Sequence, residues 1–191
     1  MAAAVGQSRL MSRYDELFSA EHCKVGQLLL THDDFHHKIR MTNMHRVMEN
    51  LLRNGVIPIV NENDVVADEE IKADVKKLGD NDLLASLVAR LTRADLLILL
   101  TTVDGFRVPD KSGRTRRVSY LESINRKVLA QAGGKGSQLS TGGMSTKLRA
   151  AQTVARAGAS VIIADGRQPG IIARIMRGED VGTLVLASVA G

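Results

Sequence analysis

The sequence predicts an α/β fold, a three-layer αβα sandwich built on a mostly parallel sheet. Short apolar runs alternate with longer segments in which apolar residues recur every three or four positions, as strands alternate with helices in such folds. Residues 95–100 are apolar after the first position, which is typical of a strand buried on both faces. The chain has 191 residues, of which 44% are hydrophobic, so we expect one domain over residues 1–191 with its own core.

Glycine and proline positions help to divide the chain into elements. Gly55 and Gly158 each follow a helical pattern and supply its C-terminal stop. Pro58 lies within an apolar run and, having no N–H, favours a strand start or an unpaired edge. Pro169 suits the first turn of a short helix. The predicted elements are a helix whose pattern starts with the opening residues and whose apolar face spans 7–20, a strand at 25–30, a helix at 41–52, a strand at 56–60, a helix at 83–92, a strand at 95–100, a loop with a hairpin at 102–117, a helix at 144–157, a strand at 161–163, a short helix after Pro169 and a strand at 182–186.

The composition argues against several classes of protein. Lys and Arg number 26 against 21 Asp and Glu, but these basic residues are spread along the chain, and the cluster at 114–117 is typical of a solvated hairpin. Aromatic residues make up 3%, too few for a base-stacking surface. The single cysteine, Cys23, excludes an intramolecular disulfide. No apolar run approaches the roughly 18 residues of a membrane span. We therefore expect a cytoplasmic protein that binds neither membranes nor nucleic acid.

Polar segments adjoin the predicted strands and helices where an α/β sheet binds ligands, beyond the carboxyl ends of its strands. Residues 61–64 could hold the charged groups of a small amphoteric ligand or form a turn as the chain leaves a strand. Residues 79–82 open a helix, where a cap alone needs only one polar side chain. Residues 101–106 leave the most apolar strand and could border a nucleotide or form a plain turn.

A fourth segment, residues 140–147, enters the helix predicted at 144–157. Gly142 and Gly143 let the backbone approach a phosphate closely, and the first N–H groups of a helix are unpaired and carry positive potential. Lys147 lies one turn into the helix and can reach the same anion. The spacing is not that of a Walker A loop. A tight connection explains the glycines alone, but together with Lys147 they favour an anion site.

In this order and spacing, the four segments resemble the glutamate 5-kinases of the amino acid kinase family, over essentially the whole chain. The resemblance implies that ATP, with Mg²⁺, phosphorylates the side-chain carboxylate of L-glutamate to L-glutamyl 5-phosphate, which begins proline biosynthesis. It also implies self-association. Because the nucleophile is already an ionised carboxylate, this chemistry needs no general base, and the site must instead align two anions and neutralise their charge.

The same resemblance assigns roles to individual residues. Asp64 and Asn81 correspond to glutamate-binding residues, and Asp82 corresponds to a carboxylate that holds active-site lysines in position. Lys147 and Asp82 form the catalytic pair. No residue is assigned as a metal ligand, since the spacing of His32, His36, His37 and His45 fits none. The implied ATP-binding residues are Thr101, Thr102, Thr141, Gly142, Gly143, Met144, Ser145, Thr146 and Lys147.

The sequence departs from the family pattern at two places. Thr102 stands where the family commonly has aspartate, so a hydroxyl replaces a negative charge at the nucleotide edge. The family's first strands, which carry a phosphate-contacting lysine and a serine of the glutamate site, have no counterpart ahead of Met1, and its C-terminal accessory domain has none either. We therefore expect an N-terminally shortened kinase with low activity and exposed sheet edges. The alternatives are a regulatory glutamate-binding homologue and a kinase of the same fold for another small acid or nucleotide.

Overall fold

The computed structural model describes residues 2–63, 80–110, 112–132 and 143–188. The chain divides into two compact units, Met1–Ala73 and Asp74–Gly191. Strands and helices alternate in both. In chain order the elements are α1 (Ala2–Ser19), β1 (Lys24–Leu30), a 3₁₀ turn (His32–Phe35), α2 (Lys38–Arg53), β2 (Val56–Glu62), α3 (Asp80–Leu91), β3 (Leu96–Thr101), β4 (Arg107–Pro109), β5 (Thr115–Arg117), β6 (Tyr120–Leu121), α4 (Arg126–Ala132), α5 (Met144–Arg156), β7 (Ser160–Asp165), α6 (Ile171–Met176) and β8 (Gly182–Val185).

In the first unit, β1 and β2 form a two-stranded parallel sheet. Helix α1 packs on β1 and α2 on β2. Of the apolar stripe on α2, Met44 and Met48 are buried, as their helical spacing predicts, whereas Met41, Val47 and Leu52 are exposed. Gly55 follows α2 at φ +69°, the left-handed conformation that commonly ends a helix. Pro58 lies in β2, whose partner among the described strands is β1 alone, so its missing N–H is accommodated in an edge strand as predicted.

The second unit is built around a four-stranded sheet in the order β3-β7-β8-β6. Strands β3 and β7 are parallel, while β8 runs antiparallel to β7. Alternate residues of β3 and β7 point to opposite faces. Leu99 and Ile163 pack in the core with α5, whereas Ile98 and Ala164 pack with α6. This unit is therefore layered helix, sheet, helix, as the α/β prediction requires.

The sequence-based elements are largely confirmed, with differences at short segments. Helix α1 begins at Ala2, as the helical pattern of the opening residues predicts, and alanine favours helix there without adding to the apolar stripe. The hairpin expected within 102–117 is present as the antiparallel pair β4 and β5. The two-residue strand β6 and the seven-residue helix α4 were not predicted, since neither is long enough to show a period.

Gly105, in the connection from β3 to β4, has φ +128°, and a Cβ there would lie 2.5 Å from Thr183 Oγ1. That buried hydroxyl accepts from Phe106 N–H at 2.8 Å and donates to the Val118 carbonyl at 2.6 Å. We expect Gly105→Ala to lower the free energy of unfolding by about 3 kcal/mol through strain and overpacking. Urea denaturation measures this change in the free energy of unfolding. Gly113→Ala is the control, because Gly113 has φ +80° with open space around it; equal losses in the two variants would refute the steric explanation.

Candidate functional site

Asp82 connects the first turns of two helices in the second unit. It lies in α3 and is buried, with its carboxylate facing the start of α5. Lys147 Nζ donates to Asp82 Oδ1 at 3.2 Å and Oδ2 at 3.1 Å. Thr146 Oγ1 lies 3.0 Å from Asp82 Oδ2 and 2.7 Å from the Gly143 carbonyl oxygen. The side chains of Asp82 and Lys147 are only 11% and 12% exposed, so this is a largely desolvated ion pair.

The topology brings these two helix starts to one end of the sheet. Each helix precedes one of the parallel strands, α3 before β3 and α5 before β7. A helix in such a unit runs opposite to its strands, so both helices begin where the strands end. Small residues allow the two helices to pack closely, since Ala89 and Ala151 are both buried in the shared core. The starts of α3 and α5 therefore lie at the same end of the sheet as the end of β3.

The electrostatics of this end of the unit favour an anion. Helix N-termini carry positive partial charge, and their first N–H groups lack intrahelical acceptors. Gly143, in extended conformation at φ −67° and ψ 174°, precedes α5, so no side chain covers those N–H groups at this position. Lys147 adds a full positive charge, which Asp82 holds in place. The ammonium group and the two helix N-termini together exceed the negative charge of the Asp82 carboxylate, so the net positive charge is suited to a phosphate.

A second set of polar groups lies at the ends of β3 and β7. Thr101 ends β3 and is aligned with Asp165, which ends β7. Thr101 is half-buried and Thr102 exposed. Arg167 follows Asp165 and binds its carboxylate through Nε at 2.9 Å and Nη2 at 2.8 Å. These hydrogen bonds from the guanidinium, with one from the Arg167 backbone N–H at 3.0 Å, lower the pKa of Asp165 to about 2.

The depressed pKa of Asp165 predicts an acid-dependent loss of stability. A carboxylate with a folded pKa of about 2 and an ordinary unfolded value contributes stability that is complete above about pH 5 and is lost as the pH falls to about 2. We expect the difference in urea midpoint between the wild type and Asp165→Asn to be constant from pH 5 to 7 and to shrink between pH 4 and 2. If the difference in urea midpoint between the two proteins did not change with pH, Asp165 would not be held ionised in the folded protein.

The structure places the predicted site residues in different situations. Asn81 is exposed in the first turn of α3. Met144 and Ser145 are partly buried at the start of α5, where Gly143 precedes them. Thr146 is buried, and its hydroxyl lies within hydrogen-bond distance of both Asp82 Oδ2 and the Gly143 carbonyl. The remaining predicted residues, Asp64, Thr141 and Gly142, lie outside the described residues, as does the glycine-rich loop at 133–137.

In the first unit, the residues at the end of β2 are engaged in hydrogen bonds with α1, β1 and their own neighbours. Asn61 Nδ2 donates to Gln7 Oε1 at 3.0 Å, and Asn61 Oδ1 accepts from the Glu62 N–H at 2.9 Å. Asn63 N–H donates to the Leu30 carbonyl at 2.8 Å. For Asn61 these contacts favour the structural alternative over ligand binding. Gln7 Nε2 is buried and has no hydrogen-bond partner within the part of the chain that the structure describes.

Sequence reasoning missed Asp165 and Arg167 as members of the same sheet edge. The signal was available, since a charged segment follows the apolar run 161–163 directly. The rule that ligands bind beyond the carboxyl ends of parallel strands applies to β7 as it does to β3. The prediction stopped β7 at residue 163, two residues before its end at Asp165, and so treated the segment as a connection.

Residues 1–165 match the family model described as the amino acid kinase family. The chain is 44% identical over 187 residues to the glutamate 5-kinase of Geobacter sulfurreducens, covering 97% of this chain and 49% of that protein. It is 48% identical over 184 residues to the glutamate 5-kinase of Listeria innocua, covering 95% of this chain and 66% of that protein. The chain therefore spans between half and two thirds of the length of these curated relatives.

Solved structures resemble the chain in fold. An isopentenyl phosphate kinase superimposes with a TM-score of 0.57 at 18% identity, covering 93% of this chain and 66% of that one. The UMP kinase of Bacillus anthracis superimposes with a TM-score of 0.54 at 18% identity, covering 91% and 62%. None of the described helices is long and apolar enough to cross a membrane. The predicted αβα sandwich with mostly parallel strands is thus confirmed, and the chain belongs to the amino acid kinase family.

Proposed function

We propose that the chain binds ATP and transfers its γ-phosphoryl group to the side-chain carboxylate of L-glutamate, giving L-glutamyl 5-phosphate. The observation that carries the proposal is the buried Asp82–Lys147 pair between the starts of α3 and α5. Relatives that are 44% and 48% identical to this chain and are named glutamate 5-kinase support the choice of acceptor. The reaction is the first step of proline biosynthesis.

The residues of the second unit have distinct parts in this proposal. A glutamate carboxylate oxygen attacks the γ-phosphorus, the bond from that phosphorus to the β,γ-bridging oxygen breaks, and ADP leaves. No proton is transferred. The Lys147 ammonium and the N–H groups that begin α5 stabilise negative charge on the transferring group. Asp82 holds the ammonium in position. Asn81, one residue before Asp82 and exposed, is the described residue that we assign to glutamate.

The nucleotide is assigned to the starts of α5 and of the loop after β3, that is, to residues 143–147 with Thr101 and Thr102. Mg²⁺ would accompany ATP and neutralise its phosphates. The described residues hold no group of three or more His, Cys, Asp or Glu able to bind a metal ion. Mg²⁺ usually keeps several waters and binds through substrate phosphates with one or two carboxylates. Asp82 is the described carboxylate beside the proposed phosphate position and would be the one available to it.

Self-association belongs to the same proposal, since the family resemblance implies it. Helix α2 of the first unit offers apolar area to bury, with Ile39 78% exposed and Leu52 54% exposed. Light scattering after size-exclusion chromatography measures the oligomer directly. We expect a mass above that of one chain.

The proposed reaction is tested by trapping its product. The 191-residue chain is incubated with Mg²⁺, ATP and hydroxylamine, and hydroxamate and ADP are measured with glutamate, aspartate, N-acetylglutamate or UMP as acceptor. We expect glutamate-dependent hydroxamate and an equal amount of ADP, with little of either from the other acceptors. Turnover with a different acceptor alone would assign the chain to another substrate. Glutamate binding by calorimetry without any turnover would replace the enzyme with a regulatory binding protein.

A further inference from the structure

The loop that follows β7 lies directly against the end of β3. Gly166 N–H donates to the Thr101 carbonyl at 2.9 Å. A Cβ at Gly166 would lie 3.0 Å from the Cβ of Leu100, so the absence of a side chain there allows the loop to approach the strand closely. The backbone of Thr101 is therefore tied to the neighbouring strand at the point where β3 ends.

Arg167, the next residue of this loop, attaches it to the next residue of the other segment, Thr102. Its Nη2 donates to the Thr102 carbonyl at 2.6 Å and to Asp165 Oδ2 at 2.8 Å, while its Nε donates to Asp165 Oδ1. The Asp165 side chain is only 11% exposed, so the carboxylate that accepts these hydrogen bonds from the guanidinium is itself fixed at the end of β7. One guanidinium thus links the ends of both parallel strands.

We propose that Asp165 and Arg167 form a clamp that positions the backbone of residues 101–102 for binding the nucleoside part of ATP. This inference rests on the proposed function, which places the nucleotide at Thr101 and Thr102. Arg167 is a positioning residue, because the atoms that it holds are those of the Thr102 main chain and of Asp165. Thr102 is exposed and directly follows β3, and Arg167 holds its carbonyl, so the direction of the Thr102 side chain depends on that contact.

The geometry requires arginine rather than any cation. A guanidinium presents its N–H groups in a rigid planar fork, which can bind both oxygens of a carboxylate and a third acceptor at once. A lysine can pair with Asp165 but lacks the second, fixed donor for the Thr102 carbonyl. An ordinary surface ion pair contributes little, and Arg177 with Glu179 is such a pair, at 2.8 Å and between residues two apart. Arg167 differs because it joins segments 65 residues apart in sequence.

Binding of two ligands to the full chain tests the clamp. ADP contains the nucleoside and the phosphates, whereas inorganic tripolyphosphate contains phosphates alone. We expect Arg167→Met to weaken ADP binding by about tenfold and to leave tripolyphosphate binding unchanged, because only the nucleoside edge is disturbed. Arg167→Lys should lose only part of the ADP affinity. Arg177→Met is the matched control, since Arg177 is 62% exposed and Arg167 is 67% exposed, and it should bind both ligands as the wild type does.

The outcomes separate this inference from the proposed function. If the wild-type chain binds neither ligand, the proposed nucleotide site is wrong. If the wild type binds ADP and Arg167→Met binds it equally well, the clamp is overturned. Equal weakening of ADP and tripolyphosphate would also overturn it, because Arg167 would then act on the phosphates. Thermal unfolding of each variant, and the intermediate behaviour expected of Arg167→Lys, distinguish loss of positioning from loss of the fold.

Discussion

Replacing Lys147 by methionine is expected to reduce phosphoryl transfer by roughly 100-fold or more, the scale on which one preorganised charged donor stabilises a transition state. Methionine keeps most of the length of the lysine side chain and removes its charge. The remaining Asp82 carboxylate then faces the incoming phosphates without its cation, which adds repulsion to the loss of attraction. Hydroxamate formation at saturating glutamate measures the rate, and calorimetric titration with ADP measures the accompanying loss of affinity.

Arg149→Met is the matched control for this substitution. Arg149 lies two residues farther along α5, is exposed, and carries the same charge on a different face of the helix from Lys147. It should retain near wild-type turnover. If Lys147→Met and Arg149→Met lost the same fraction of activity, general basicity rather than the site at the start of α5 would explain the effect.

Replacing Asp82 by asparagine is expected to impair both stability and turnover. The Lys147 ammonium, only 12% exposed, would lose its carboxylate in a largely desolvated position. Breaking a buried pair by removing one partner costs about 3 kcal/mol or more in the free energy of unfolding. The side-chain oxygen of asparagine can still accept a hydrogen bond from the Thr146 hydroxyl. The measured loss of stability therefore reports the removal of the negative charge. Urea denaturation and the hydroxamate assay measure the two effects.

The double variant Asp82→Asn with Lys147→Met separates structure from chemistry. Removing both charges should restore part of the stability that Asp82→Asn loses, because no uncompensated charge remains. Turnover should stay as low as in Lys147→Met alone. If the two stability losses simply added, Asp82 and Lys147 would not form a coupled pair. If the double variant regained turnover, neither residue would belong to the reaction.

Much of the fold could be predicted from the sequence because apolar periodicity reflects burial directly. The run at 95–100 became β3, and Met44 and Met48 of α2 are buried as their spacing indicated, whereas Met41 is 38% exposed. Elements that depend on distant partners could not be predicted in this way. Strand β6 has two residues and exists because β8 pairs with it, although the two are separated by more than 60 residues in sequence.

The candidate site was predictable in its residues and less so in their orientation. The sequence identified Asp82 and Lys147, and the structure brings their side chains together. The sequence gives no indication that the Thr146 hydroxyl turns inward to Asp82, because that direction follows from how α3 and α5 pack. The contact that Arg167 makes also depends on packing, since its acceptor, the Thr102 carbonyl, follows the end of the neighbouring strand β3.

The most direct test of the account follows one oxygen atom from glutamate to phosphate. Glutamate labelled with oxygen-18 in its side-chain carboxylate is incubated with the chain, Mg²⁺, ATP and hydroxylamine. If the carboxylate attacks the γ-phosphorus, a labelled oxygen bridges carbon and phosphorus in the product. Hydroxylamine then attacks the carbonyl carbon and releases phosphate that keeps this oxygen. We predict inorganic phosphate with one oxygen-18 atom by phosphorus-31 NMR. Unlabelled phosphate would show attack by water and would contradict the proposed reaction, as would the absence of any released phosphate.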